Sequence, residues 1–219
     1  MTTLIESSTS TETLGDLLKQ LGDISPDRIR MRPAPGTATE ADVERIHAKE
    51  KRLYELIDGV LVEKGMGYPE SLLAVAIAAA LRNWVVARRL GLVSGADGMM
   101  RLFPGLVRIP DVAFVSRERL PGGRVPEEPI PSIAPDLAVE VLSESNTKRE
   151  MARKCNEYFD AGVRLVWIVD PKTSTVAVFT GPEEFKVLNQ DQTLDGGEVL
   201  PGFTLSLREL FADPLNPTP

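Results

Sequence analysis

The sequence predicts an α/β domain with a mixed central β-sheet flanked by helices, preceded by a short helical N-terminal extension. Three observations predict this class. Two short apolar runs enclose an Asp58-Gly59 pair, a long apolar helical run begins at Pro69, and strand-like runs alternate with a helix between residues 137 and 169. Strand–helix–strand alternation is typical of α/β folds, in which the two strands run parallel. Hairpins on either side of such a unit add antiparallel strands, so a sheet of mixed direction is predicted.

The first 52 residues are predicted to form a tail, two helices and a linker. Residues 1–11 are rich in Ser and Thr and lack apolar periodicity, so no packed structure is expected there. A short helix is predicted over 13–21, a Pro-containing linker follows, and Thr39 caps a second helix that runs to about residue 52. The main domain is expected over 53–211, and 212–219 form a C-terminal tail.

The first half of the main domain contains the clearest local signals. Asp58-Gly59 lies between two apolar runs and predicts a hairpin over 54–62. The helix over 70–89 is apolar on nearly all sides in its middle, which predicts packing on both sides. Strands are expected near 92–94, 99–103 and 111–115, before a Pro/Gly loop at 121–135.

The second half supplies the strand–helix–strand unit. Residues 137–142 are the most apolar strand, and helical spacing of apolar residues over 147–161 ends at Gly162. Further β-rich runs are expected at 163–169, 175–180 and 185–189, and a short Leu-rich segment closes the domain at 205–211.

Composition excludes several kinds of chemistry. His47 is the only histidine and Cys155 the only cysteine, which disfavours Ser-His-Asp or Cys-His catalysis, an internal disulfide and a cysteine zinc site. There is no uninterrupted run of about 18 apolar residues and no secretory signal pattern, so a cytoplasmic protein without a membrane span is expected. The net charge of −7 is unusual for a protein that binds DNA, whose surface is usually basic.

Carboxylates and lysines must therefore carry any chemistry, and Glu140 is the most informative of them. It lies inside the apolar strand Ala138-Val-Glu-Val-Leu142, where an unpaired carboxylate would cost several kcal/mol. It therefore needs a cation, a donor or a metal, unless it pairs with an arginine or faces water. Asp111 begins another apolar strand, although Asp136 also follows a proline and shows that the Pro-Asp dipeptide is not specific. Two acids on neighbouring strands would form the oxygen cage that magnesium prefers.

Lys154 lies on the helix that follows the Glu140 strand, at the border of its apolar stripe. A lysine in such a position commonly extends its ammonium to solvent. If the helix packs over the end of the strand, the ammonium instead reaches the carboxylate site. There it could orient a nucleophile or offset developing negative charge.

Several ordered motifs together resemble one protein family. They are Tyr54-Glu-Leu-Ile-Asp-Gly-Val-Leu-Val, Pro110-Asp-Val-Ala-Phe-Val-Ser, Pro135-Asp-Leu-Ala-Val-Glu-Val-Leu-Ser and Lys154-x3-Tyr158-x2-Ala-Gly-Val-x3-Trp-x-Val-Asp-Pro. This set resembles the bacterial restriction-endonuclease family of the PD-(D/E)XK nuclease superfamily, over about residues 53–189. The resemblance implies a restriction-endonuclease-like core of mixed strands flanked by helices.

The resemblance also implies site residues. It places the metal carboxylates at Asp111 and Glu140, to which the carbonyl of Val141 can add a ligand, with Mg²⁺ as the cofactor and Mn²⁺ as a substitute. The superfamily lysine belongs two residues after the acid, where this chain has Leu142, and in this family it matches Lys154 on the next helix. Glu55 is a further candidate, because an acid from the early core often joins the site; alternatively it is an outward polar residue of a strand.

The functional hypothesis is Mg²⁺-dependent hydrolysis of DNA phosphodiester bonds by a homodimer that does not bind membranes. Two alternatives stay open: a binding or assembly module on an inactive nuclease scaffold, and a metal-dependent phosphodiesterase acting on RNA or small nucleotides. Arginines are the candidates for contacts with DNA, at positions 82, 88, 89, 101, 108, 117 and 119.

Overall fold

The computed structural model describes residues 12–65, 67–213 and 215. The N-terminal stretch 1–11, for which no packed structure was expected, and most of the end of the C-terminal tail lie outside the described residues. The fold is a mixed α/β architecture, as the sequence predicts.

Within the described residues the helices are α1 (Leu14–Gln20), α2 (Glu40–Glu50), α3 (Tyr68–Arg88), α4 (Lys148–Asp160) and α5 (Leu207–Phe211). The strands are β1 (Ile29–Arg30), β2 (Tyr54–Ile57), β3 (Val60–Glu63), β4 (Gly91–Ser94), β5 (Met100–Phe103), β6 (Leu106–Arg108), β7 (Val112–Ser116), β8 (Leu137–Val141), β9 (Leu165–Asp170), β10 (Thr175–Phe179), β11 (Phe185–Asn189), β12 (Thr193–Gly196) and β13 (Leu200–Ser206).

The strands form two larger sheets and one separate hairpin. The central sheet has the order β11-β10-β9-β8-β7-β4, and it is mixed because β8 and β9 run parallel whereas their neighbours pair antiparallel. The second sheet has the order β1-β3-β2-β6-β5 and is antiparallel. Among the strands that the structure describes, β12 and β13 pair only with each other. The predicted mixed central sheet flanked by helices is confirmed.

The two faces of β8 have different coverings, and this positions the site. Leu137, Val139 and Val141 point into the main core, which also contains side chains of α3 and α5. Ala138 points to the other face and packs against Cys155 and Tyr158 of α4. Because side chains alternate along a strand, Glu140 shares the α4 face with Ala138.

Helix α4 is fixed at its first turn. Thr147 and Glu150 form a reciprocal capping box, which satisfies free backbone donors at this end. The N-terminal segment packs directly on this turn: a Cβ at Gly22 would lie 2.6 Å from the backbone nitrogen of Glu150. Arg28 adds an ion pair to Glu150 at 2.8 Å. The predicted linker is therefore packed against the core in part, and it contributes strand β1.

Helix α3 differs from its sequence-based prediction. It buries one face only, through Ala74, Ile77, Leu81 and Val85, while Val75 on the opposite face is 67% exposed. The expectation of packing on both sides was wrong, because apolar composition alone does not say how many neighbours a helix has. Its length and mean hydropathy of 1.5 would also suffice to cross a membrane, and it is the one described helix that passes this test.

The Asp58-Gly59 hairpin is confirmed, and it meets an unpredicted strand. Both turn residues have positive φ, 50° and 72°, as the tight connection between β2 and β3 requires. β2 pairs on its other side with β6, through Leu56 and Val107. β6, like β1, is too short for an apolar period to show in the sequence, yet it brings Arg108 beside Glu55.

Candidate active site

The structure brings Asp111, Glu140 and Lys154 together at one end of the central sheet. Asp111 directly precedes β7, and two hydrogen bonds hold it against the neighbouring strand β8. Its backbone nitrogen donates to the carbonyl of Val139 at 3.0 Å, and its Oδ2 accepts from the backbone nitrogen of Val141 at 2.6 Å. These bonds leave Oδ1 to face the interior of the site.

Glu140 is buried, and both of its oxygens lie near cations. Oε1 accepts from the hydroxyl of Tyr158 at 2.5 Å and lies 2.9 Å from Nζ of Lys154. Oε2 lies 3.9 Å from Nζ of Lys64. The alternatives of an arginine pair or of a carboxylate that faces water are therefore wrong for Glu140.

Lys154 lies inside the site and does not extend to solvent. Its side chain is 5% exposed, and Nζ bridges Glu140 Oε1 at 2.9 Å and Glu55 Oε1 at 3.0 Å. Since α4 packs on the face of β8 that carries Glu140, a helix position supplies an ammonium next to the strand carboxylate. Leu142, which stands where the superfamily lysine would be, instead lines an apolar groove beside Cys155 and Ile168.

Glu55 on β2 is fully buried and is not an outward polar residue. Oε1 also accepts from the backbone nitrogen of Ile109 at 3.0 Å, and Oε2 lies 2.7 Å from Nη1 of Arg108. Glu55 therefore contacts Lys154 and Arg108 directly. Its direct contribution to metal binding stays a prediction.

Lys64 is the site residue that the sequence analysis missed. It follows the last residue of β3, and its Nζ lies 2.8 Å from Oδ1 of Asp111 and donates to the carbonyl of Ile109. Its side chain is 7% exposed. The only sequence signal was a lysine that directly follows an apolar strand, which is also typical of an ordinary surface position.

The candidate arginines for DNA contact do not share one role. Arg108 is 1% exposed and lies between Glu55 and Glu157, so it is not available to DNA. Arg119 is tied to Asp136, and Arg101 to Glu40. The remaining candidates are largely exposed, namely residues 82, 88, 89 and 117.

Burial and charge shift the acid–base equilibria of the site. Burial alone would raise the pKa of Glu55, but Lys154, Arg108 and Lys64 outweigh it, so the pKa lies well below its ordinary value. Burial raises the pKa of Glu140, and Lys154 and Lys64 offset only part of this effect. Burial would lower the pKa of Lys154, yet Glu140 and Glu55 raise it above its ordinary value. Lys154 is thus a permanent cation near neutral pH.

The donor set fits a hard divalent cation. One ammonium, that of Lys64, lies among Asp111 Oδ1, Glu140 Oε2 and the carbonyl of Ile109, so these oxygens already surround a positive charge. Among the described residues no three His, Cys, Asp or Glu side chains form a group that could hold a metal. Mg²⁺ is commonly held by only one or two carboxylates together with waters, so Asp111 and Glu140 suffice. The carbonyl of Val141 stays a predicted ligand.

Replacing Glu55 by glutamine should lower the free energy of unfolding at neutral pH by about 3–5 kcal/mol, because it removes a buried counter-charge from Arg108 and Lys154. The pKa of Glu55 is lowered from an ordinary value of 4.5, so its contribution is fully present above that pH and is lost as the pH falls towards the folded pKa. Urea unfolding of wild type and Glu55→Gln across pH should show a deficit that is constant above pH 4.5 and shrinks below it.

The exposed pair of Glu63 with Arg52 provides the control. Glu63→Gln should change stability by less than about 1 kcal/mol, since surface ion pairs contribute little. A Glu55→Gln deficit no larger than this, or one that persists undiminished in acid, would contradict the buried network.

Comparison with known proteins shows the family to which the chain belongs. The model of the family Uma2, described as "Putative restriction endonuclease", matches residues 41–208. Among solved structures, the chain resembles the 1.96 Å crystal structure of "a putative nuclease belonging to DUF820" from Anabaena variabilis ATCC 29413. The TM-score is 0.66 at 22% identity, over 74% of this chain and 90% of that one. This likeness confirms the fold. No curated protein matches the chain.

Proposed function

Because this chain belongs to the Uma2 family of restriction-endonuclease-like nucleases, we propose that it is a Mg²⁺-dependent endonuclease that hydrolyses DNA phosphodiester bonds. The observation that carries the proposal is the meeting of Asp111 and Glu140 around one cation position, with the ammonium of Lys154 on the far oxygen of Glu140. Asp111 and Glu140 would hold the Mg²⁺, which would supply a Lewis acid for the phosphate and a bound water of lowered pKa.

Each residue of the site has a distinct task in this proposal. Asp111 is held by the Val141 amide, and Glu140 by Tyr158 and Lys154, so both carboxylates are fixed before substrate arrives. Lys154 acts as a fixed positive charge next to the phosphate, because its raised pKa leaves it protonated and unable to accept a proton. Glu55 serves as a positioning residue that anchors Lys154 from the opposite side.

The proposed substrate is duplex DNA, and a homodimer would supply one site for each strand. The purified protein should convert supercoiled plasmid DNA to nicked and linear forms in Mg²⁺ or Mn²⁺, and should do nothing in excess chelator. Single-stranded DNA and RNA are tested beside it. Cleavage that persists in chelator would refute metal dependence, and preferential cleavage of RNA would favour the phosphodiesterase alternative. Sedimentation of the purified chain tests the dimer.

Two observations favour a second function, that of a module that binds without cutting. Lys64 already neutralises Asp111, and Leu142 replaces the superfamily lysine, so the scaffold could persist without a metal. A module of this kind would bind neither Mg²⁺ nor Mn²⁺. Intact Asp111, Glu140 and Lys154 in mutual contact favour the nuclease.

A further inference from the structure

The position between the two proposed metal carboxylates is filled by the chain itself. Nζ of Lys64 lies 2.8 Å from Asp111 Oδ1 and 3.9 Å from Glu140 Oε2, and it donates to the carbonyl of Ile109. Two carboxylate oxygens and a backbone carbonyl are hard oxygen donors of the kind that Mg²⁺ and Mn²⁺ prefer. The ammonium therefore lies on the ligand set that a divalent cation would use.

The charges of the buried cluster lead to the same position. The buried carboxylates Asp111, Glu140 and Glu55 supply three negative charges, and the buried Lys64, Lys154 and Arg108 supply three positive ones. At the border, Glu157 contacts Arg108 and pairs with Arg153, which adds one charge of each sign. The cluster is formally neutral. If a divalent cation bound while all three cationic side chains stayed in place, the buried site would carry an excess of two positive charges. Such an excess costs free energy because it is buried away from water. One cation should therefore leave.

Lys64 is the cationic side chain best able to leave the cluster. Arg108 is 1% exposed and is held from two sides by Glu55 and Glu157. Lys154 lies in the middle of α4 and bridges two carboxylates. Lys64 follows the end of β3, its backbone is fixed by a 3.0 Å bond to the carbonyl of Leu53, and the next residue, Gly65, is exposed. Its side chain can swing outward without any change in the strand.

We propose that Lys64 is a resident counter-ion that occupies the divalent-cation position when no metal is bound and leaves it when the metal binds. The proposal rests on the proposed function, since it takes Asp111 and Glu140 as metal ligands. Without metal, Lys64 holds the two like-charged carboxylates together. The same contact makes metal binding an exchange of one cation for another, so the affinity for metal is weaker than the oxygen ligands alone would give.

The first test follows Lys64 in the wild-type protein. Lysines are acetylated with an amine-reactive reagent at constant pH, with and without saturating Mn²⁺, and the rate for each residue is read by mass spectrometry. The Lys64 rate should rise about tenfold or more with Mn²⁺, since its amine then leaves a buried ion pair with Asp111 and becomes accessible to the reagent. Lys154 should stay protected. The exposed Lys148 should be acetylated at the same rate with and without Mn²⁺.

The second test measures Mn²⁺ affinity directly, through the electron paramagnetic resonance signal of the free ion. Lys64→Met should bind Mn²⁺ about tenfold or more tightly than wild type, because no ammonium competes for the carboxylates. Lys148→Met removes the same charge from an exposed position of α4 and should leave the dissociation constant unchanged.

The outcomes separate this inference from the proposed function. If Mn²⁺ binds to the wild type but Lys64 stays protected, or if Lys64→Met binds with the wild-type affinity, the exchange is refuted and the metal-dependent nuclease stands. If Mn²⁺ binds to neither protein, both the metal site and the exchange are refuted.

Discussion

Asp111→Asn and Glu140→Gln are each expected to lower the rate of DNA cleavage by about a thousandfold or more, which corresponds to about 4 kcal/mol in the activation barrier. Both changes keep the shape of the side chain and remove the negative charge that would hold the divalent cation. The amide oxygens can still accept the hydrogen bonds that the carboxylates accept from Val141 and from Tyr158. Each variant also removes a buried counter-charge from Lys64 or Lys154 and should be less stable, so cleavage is compared at a temperature where the variant is shown to be folded.

The chain offers a matched control for Asp111. Asp136 also follows a proline, is buried to 1% exposure and is paired with Arg119 and Arg164, but it is not part of the site. Asp136→Asn should lower thermal stability and leave cleavage within about tenfold of wild type at a temperature where it stays folded. A comparable rate of plasmid nicking in Asp111→Asn or in Glu140→Gln would show that the residue replaced in that variant does not hold a catalytic metal.

Lys154→Met is expected to lower kcat by about a hundredfold to a thousandfold, the usual effect of removing one preorganised charge that stabilises a transition state. Methionine keeps the length and the apolar contacts of the lysine stem in the α4 helix but lacks the ammonium. Because the ammonium acts on the developing charge and not on substrate binding, KM should change little. Single-turnover cleavage of a short labelled duplex separates the two parameters.

Stability and metal binding distinguish this role from a structural one. Lys154→Met leaves Glu55 and Glu140 with less counter-charge, so the free energy of unfolding should fall by about 3–5 kcal/mol. A folded fraction that still binds Mn²⁺ but does not cleave would support the catalytic role. Cleavage at the wild-type rate would refute it. Lys148→Met, at the exposed first residue of the same helix, should not affect kcat.

The candidate residues Asp111 and Glu140 could be selected from the sequence because each carboxylate lies within or beside an apolar strand, where carboxylates are unusual. Glu140 interrupts an apolar strand, and Asp111 opens another, so each required a partner that the local sequence did not supply. The hairpin at Asp58 and Gly59 and the strand–helix–strand unit around α4 were local patterns as well. Family resemblance then joined the separate motifs into one fold, which the structure confirms.

The features that escaped prediction depend on contacts between distant segments. Lys64 reaches Asp111 across 47 residues of sequence, and Arg108 reaches Glu55 across 53, so no local pattern records either pair. β6 is three residues long, and its role depends on the pairing of Leu56 with Val107. The exposed face of α3 was missed for a related reason: composition shows that a helix is apolar but not which neighbours the fold provides.

The proposed active site is tested by the anomalous scattering of Mn²⁺ in crystals of the wild-type protein. We expect a peak between Oδ1 of Asp111 and Oε2 of Glu140, at about 2.0–2.2 Å from each oxygen, the distance typical of a small hard cation. The ammonium of Lys64 should be turned away from this position. Manganese bound elsewhere, with Lys64 still between the two carboxylates at saturating metal, would contradict the proposed active site.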